Sequence, residues 1–409
     1  MRLAELPAVL MLIGLAAYAV LAGADFGAGF WQLLGGRSER DKALRTHAHH
    51  AMGPVWEANH VWLIFVLVVC WTAYPTAFGS IASTLSFPLF IAGVGIILRG
   101  TTYALSSGET SARQQRLIEL SFAGSSILTP FALGALIGGI ASGRVPVGNA
   151  GGDLVGSWLN PTSIVLGCIA VATSAYLAAV YLAADAVRIA KPELEDAFRR
   201  RALAMAPVAG AAALAGLVVV RSDAPRIWDG LTGGAGLAAV ILSALSGAAT
   251  ISFVLARRYG FARVTAATAV AAIIAGWGLA QRPRLLPGLT IEQGAADRPV
   301  IVATLVALAL GSLILVPSLG LLYSLLLSGR FDDQPEPARA AEVAAAAAGG
   351  APRASLLLPA ALSCLAIGVL ATVPVSSNWG RIVGVPFLLA FVALGFAALA
   401  TALTAEDAT

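Results

Sequence analysis

Four ionisable side chains sit inside long apolar runs of this sequence: Asp25, Glu57, His60 and Arg99. An ionisable group within an apolar span is costly to keep, so each marks a place where the chain binds, conducts or locks. Two carboxylates, an imidazole and a guanidinium form a set that can move protons. Glu57 and His60 are spaced i, i+3, which puts them on one helix face, and Asn59 stands beside them. Histidine suits a proton relay because its reference pKa lies near neutrality. A carboxylate in such a place is pushed towards its neutral form by desolvation and back towards its charged form by a nearby Arg. A plainer account fits the same residues: Arg99 pairs with Asp25 or Glu57 and only locks the helices together. The two accounts are compatible.

Other chemistry-bearing residues carry less. His47, His49 and His50 form an HxHH cluster in a basic loop. A metal site needs more preorganisation than a loop tract offers, so they read as solvated or interfacial, and no metal is expected. His60 is the one histidine within a span, and helix-borne histidines do ligate heme, but its carboxylate and Asn neighbours fit a polar relay as well. Asp185 before Arg188, and Glu119 after Arg116, read as interfacial pairs. Trp56 suits an interfacial anchor, while Trp62 and Trp71 read as packing. Cys70, Cys168 and Cys364 lie in apolar runs and form no CxxC pair, which argues against a disulfide framework or a zinc site. No GxxxxGK[ST] appears, so an ATP-driven pump is excluded as a reading of this chain.

The elements that position these groups follow from composition. Of 409 residues, 58% are hydrophobic and 12% charged, with a mean hydropathy of +0.84. A soluble domain carries about 25% charged residues. The chain therefore reads as an all-α, polytopic integral membrane protein, not a soluble enzyme, and its net charge of +4 does not make it a nucleic-acid binder. Eleven apolar runs can be marked, at about 7–34, 55–74, 76–105, 117–140, 162–186, 203–220, 231–256, 262–280, 300–328, 354–373 and 382–403. Each is of the length a transmembrane helix needs. Open sheets are excluded in lipid, and the alternating ten-residue segments of a barrel are absent. Ala22-Gly23-Ala24 has the look of a signal-peptidase site. However, Arg2 is offset by Glu5 and the apolar run is long, so span one is read as retained.

Odd-numbered loops hold 17 of the Lys and Arg residues and even-numbered loops 7. The positive-inside rule then puts the N-terminus outside the cell and the C-terminus in the cytoplasm. That orientation sets Asp25, Glu57, His60 and Arg99 at similar depth near the cytoplasmic side. The expected organisation is a nine-helix core over 1–330, a Pro/Ala/Gly-rich cytoplasmic linker over 331–353, and a two-helix hairpin with an acidic tail over 354–409. Most of the 43 glycines read as helix packing.

Several stretches carry a resemblance to a known family. They are Gly23-Ala24-Asp25-Phe26-Gly27-Ala28-Gly29 and Gly53-Pro54-Val55-Trp56-Glu57-Ala58-Asn59-His60-Val61-Trp62-Leu63, followed by Tyr74-Pro75, Leu98-Arg99-Gly100 and Asn160-Pro161-Thr162. Together they resemble subunit II of the cytochrome bd-type quinol oxidases, over residues 1 to about 330. The resemblance implies a complex that oxidises quinol and reduces oxygen to water. It implies heme b and heme d type groups in a large partner subunit, and a second subunit that serves the heterodimer interface, heme assembly and, in some members, a cytoplasm-facing proton path. The family's acid after the span-two Trp falls on Glu57, its span-one acid on Asp25, and its Arg-Gly on Arg99 and Gly100. This sequence departs from the family's span-two pattern of Asp, Gly and Glu with Glu57, Ala58 and His60. It also continues after Gly100 as Thr101-Thr102-Tyr103-Ala104-Leu105-Ser106, without the family's usual Glu and Arg.

The sequence therefore leads to an accessory subunit of a bd-type quinol oxidase in a prokaryotic cell membrane, in contact with lipid and the quinone pool. Glu57, His60, Asn59 and Asp25 are expected on a polar path, with Arg99 biasing their protonation. The rival is a stand-alone secondary transporter or ion channel, with the same buried groups as its coupling site. No internal repeat supports it, and its charges would sit near the midplane rather than at one side.

Overall fold

A computed structural model describes residues 2–34, 39–52, 56–105, 112–149 and 151–327, with isolated residues between 359 and 394. The chain divides into two compact units, Met1–Phe331 and Asp332–Thr409. The expected linker, and the expected hairpin apart from those isolated positions, lie outside the described residues.

The first unit is helical almost throughout its described residues. It runs α1 (Leu6–Leu33), α2 (Glu39–Met52), α3 (Trp56–Ala73), α4 (Pro75–Thr84), α5 (Ser86–Leu105), α6 (Ala112–Ala141), α7 (Pro161–Arg188), α8 (Pro192–Asp223), α9 (Pro225–Thr232), α10 (Gly234–Leu255) and α11 (Tyr259–Gln281). A short hairpin follows, β1 (Arg284–Leu286) and β2 (Leu289–Thr290), and then α12 (Ile291–Gly294) and α13 (Arg298–Leu327). Among the described residues eight helices are long and apolar enough to cross a membrane, and α4 with α5 makes up to a ninth. These correspond to the first nine apolar runs.

Local sequence explains where the helices begin. Pro75, Pro161, Pro192 and Pro225 each open a helix, where a missing N–H costs nothing. Asn160 caps α7 by accepting a hydrogen bond from the Ser163 N–H at 2.9 Å, which gives Asn160-Pro161-Thr162 a structural role. The third span is not the straight helix expected from its apolar run. It is bent by 82° at Leu85, between α4 and α5. Pro88 accounts for this, because its ring would clash with the Thr84 carbonyl in a continuous helix.

α7 is the central helix: 61% of its apolar window is buried, against 6% for α13 at the rim. α1 is enclosed too, and every residue from Ala22 to Gly29 is buried. One end of the bundle is closed by connections. The Tyr74 hydroxyl donates to the Ala4 carbonyl at 2.5 Å and accepts from the Ala8 N–H at 3.0 Å. Asp223 ties α8 to Arg144 by two bonds, of 3.0 and 2.6 Å, and to the Thr162 hydroxyl at 2.6 Å. Gly288, at φ +78°, turns the β1–β2 hairpin where a side chain would be strained.

Candidate functional site

α1, α5 and α6 bring one ion pair into the middle of the bundle. Arg99 on α5 and Asp25 on α1 are both fully buried. Arg99 Nε donates to Asp25 Oδ2 at 2.8 Å and Nη2 to Asp25 Oδ1 at 2.7 Å. Nη2 also reaches the Asp25 carbonyl at 2.5 Å, and Nη1 donates to Ser126 Oγ on α6 at 2.8 Å. The planar guanidinium lies over the rings of Phe122, at 4.2 Å, and Phe26, at 5.1 Å. Such a two-pronged, hydrogen-bonded pair is the geometry in which burying two charges is tolerable.

The span-one motif can be read residue by residue. Asp25 holds the guanidinium, and Phe26 stacks on it. Gly27 lets α1 approach the Ser174 backbone of α7, and a Cβ there would also lie 2.7 Å from Ala178 Cβ. Gly29 makes room for Ser126 and for Phe122, which a Cβ would meet at 2.9 Å. Gly100 does the same on α5, where a Cβ would stand 2.9 Å from the Trp56 ring. Ser126 and Phe122 were missing from the sequence reading. Their one signal is a Ser-Ser pair, Ser125-Ser126, within an apolar helix.

The span-two residues do not all join this pair. Asn59 is buried, donates to the Leu21 carbonyl on α1 at 3.3 Å, and accepts from the Tyr323 hydroxyl on α13 at 3.0 Å. It works as a bracket across three helices. Asn59→Ala should lower stability by about 1–2 kcal/mol, the cost of taking the acceptor from the partly buried Tyr323 hydroxyl and the donor from the Leu21 carbonyl. Melting curves of Asn59→Ala, Tyr323→Phe and the double variant check this, with the double variant expected to melt no lower than Asn59→Ala alone.

His60 is 7% exposed and sits in an aromatic box. Its ring centroid lies 5.9 Å from that of Tyr18, 5.9 Å from Phe26 and 6.0 Å from Trp56. Among the described residues neither ring nitrogen has a hydrogen-bond partner. Phe26 packs on both the His60 ring and the Arg99 guanidinium. Three aromatic rings thus surround the imidazole. Glu57, one turn earlier on α3, is exposed. It shares a face with the exposed residues Val61, Ile64, Val68 and Trp71. The boundary between the buried and exposed faces of α3 therefore falls between Glu57 and His60.

The first basic loop differs from expectation as well. It contains α2, and His47 is buried rather than solvated. Leu44, His47 and Ala48 share one face of α2 and pack on α7 and α8. His47 Nε2 donates to the Leu182 carbonyl at 3.1 Å, and Nδ1 lies 3.9 Å from Asp185 Oδ2. The side chains of His49, His50, Arg116 and Glu119 lie outside the described residues. Asp185 and Arg188 do pair, with Nε to Oδ1 at 2.9 Å. Among the described residues no three His, Cys, Asp or Glu side chains converge to hold a metal ion.

Comparison with known proteins places this geometry in context. The family model described as cytochrome bd terminal oxidase subunit II matches residues 3–326. A putative cytochrome bd menaquinol oxidase subunit II of Bacillus subtilis (strain 168) is 25% identical over 222 residues, which is 52% of this chain and 61% of that protein. A cytochrome bd ubiquinol oxidase subunit 2 of the same organism is 25% identical over 116 residues, 28% of this chain and 33% of that protein. The match thus spans less than two thirds of the length of either relative. Among solved structures, the bd oxidase from Geobacillus thermodenitrificans aligns with a TM-score of 0.63 and 26% identity, covering 80% of this chain and 99% of the matched chain.

Proposed function

The chain belongs to the cytochrome bd terminal oxidase subunit II family, and from that premise we propose that it serves as the accessory subunit of a membrane quinol:oxygen oxidoreductase. Its partner in this reading is a large subunit that carries the heme b and heme d type groups, with quinol as substrate. The hemes supply the electron transfer to oxygen, and this chain supplies an anchored bundle and a route for protons. Its setting is a cell membrane, with the N-terminus outside and the C-terminus in the cytoplasm, as the Arg-rich odd loops favour.

The observation that carries the reading is the outward position of Glu57. A carboxylate in the first turn of an otherwise apolar membrane helix is costly to set against hydrocarbon. It fits a covered, partly hydrated seam against a second membrane subunit. Glu57 would then take protons up at that seam, while Asp25 and Arg99, which already satisfy each other, hold α1 and α5 in place. Oxygen reduction consumes protons, so a slowed supply slows turnover. Glu57→Gln keeps the shape and removes the ionisable group. The variant complex should retain its heme content and lose turnover by about a hundredfold or more, within the range of a single proton-transfer group. Oxygen consumption at the wild-type rate would remove Glu57 from the path.

The transporter reading is weakened by the same geometry. Its coupling charges would have to be available to a substrate, whereas Asp25 and Arg99 are bound to one another and fully buried. Ion-gradient-driven uptake into vesicles that contain this chain alone would restore it.

A further inference from the structure

Buried polar groups in folded proteins are almost always paired, either with protein or with an ordered water. In the seam between α1 and α3, four such atoms have no partner among the described residues: Tyr18 Oη, His60 Nδ1, His60 Nε2 and Trp62 Nε1. Tyr18 is 5% exposed and His60 7%. The Tyr18 and His60 rings are neighbours with centroids 5.9 Å apart, and no hydrogen bond joins them. Trp62 packs on the cluster formed by Tyr18, Ala22 and Phe26. We propose that Tyr18, His60 and Trp62 hold one or more ordered internal waters, and that this hydrated site is a proton-relay station inside the subunit.

The donor and acceptor inventory selects water as the occupant. A neutral imidazole offers one donor and one acceptor, the phenol a donor and an acceptor, and the indole a donor only. The set itself contains no carboxylate or thiolate to hold a cation and no guanidinium or ammonium to hold an anion. Water, which both donates and accepts, can pair with every kind of atom in the set. Tyr18 lies seven residues before Asp25 on α1, about 10 Å further along the helix axis, so the site extends the polar region deeper into the bundle. A proton accepted at one ring nitrogen of His60 can be matched by one released from the other to the water. The ring stays neutral and exchanges its tautomer. Tyr18 is a positioning residue here, holding the water that His60 uses.

The relay role rests on the oxidase reading, whereas the hydration site does not. The decisive experiment is a cryo-EM map of the purified wild-type complex at a resolution that shows waters. If the chain purifies without a partner, the same map can be recorded of the chain alone in lipid nanodiscs. Density within hydrogen-bond reach of Tyr18 Oη and a His60 ring nitrogen is expected, and a dry seam overturns the proposal. Tyr18→Phe should then lose that density and keep its heme content. It should slow oxygen consumption measurably, with an enlarged solvent deuterium isotope effect. A Tyr18→Phe complex with wild-type rate and isotope effect overturns the relay. A slow Tyr18→Phe complex beside a silent Glu57→Gln complex would retire Glu57 and keep the hydrated site.

Discussion

Arg99→Ala should leave the complex largely unassembled. The substitution removes the guanidinium that donates to both carboxylate oxygens of Asp25, to its carbonyl and to Ser126. It takes from a fully buried carboxylate the guanidinium that pairs with it. Breaking one side of a buried pair costs about 3–5 kcal/mol, a large share of the stability of an ordinary domain. Removing the charge on the other side is equally informative. Asp25→Ala strands the guanidinium, and the double variant, which strands neither, should recover part of the loss. The readouts are the yield of heme-containing complex and its melting temperature in detergent. Native yield and melting for Arg99→Ala would show that the pair is no lock. Native assembly with abolished turnover would move Asp25 and Arg99 from architecture to proton transfer.

What the sequence displayed, and what it hid, follows from the physics of lipid. Nine of the eleven apolar runs correspond to membrane-length helices or to the bent pair, because run length alone sets a span. The equal depth of Asp25 and Arg99 was legible too, since depth follows from counting residues along helices of known direction. Azimuth was not. In water a helix shows its buried side by hydrophobicity, but in a membrane both the lipid-facing and the core-facing sides are apolar. Nothing in Trp56-Glu57-Ala58-Asn59-His60 says that Glu57 turns outward while Asn59 and His60 turn in. The i, i+3 spacing placed Glu57 and His60 one turn apart, and the packing of α1 and α13 against α3 buries His60 and leaves Glu57 exposed. The bend at Leu85 had a signal in Pro88, masked by the unbroken hydrophobicity around it. His47 was hidden for a different reason. The face of α2 that buries it is short and carried by Leu44 and Ala48, too little apolar surface to stand out in a basic segment.

The second large effect belongs to a residue with no side chain. α1 crosses α7 so closely at Gly27 that a Cβ built there overlaps the Ser174 carbonyl and comes within 2.7 Å of Ala178 Cβ. The obstacle is backbone of a central helix, which no side-chain rotation can clear, so the helices themselves must part. The crossing is also pinned one turn along α1, where Trp31 Nε1 donates to the Ala175 carbonyl at 2.8 Å. Overpacking a core position costs about 1–3 kcal/mol, and here the displacement acts two residues from Asp25. Gly27→Ala should therefore lower both melting temperature and heme-complex yield, and Gly27→Val should abolish assembly. Gly93 on α5 is the matched control, because a Cβ there meets nothing within 4 Å, and Gly93→Ala should be silent. If Gly27→Ala melted like the wild type, the close crossing would not be what holds α1 against α7. The ion pair would then depend on α5 and α6 alone. If Gly27→Ala fails and Asp25→Ala/Arg99→Ala partly recovers, helix contact comes first, and the charges are tolerated because the contact is already made.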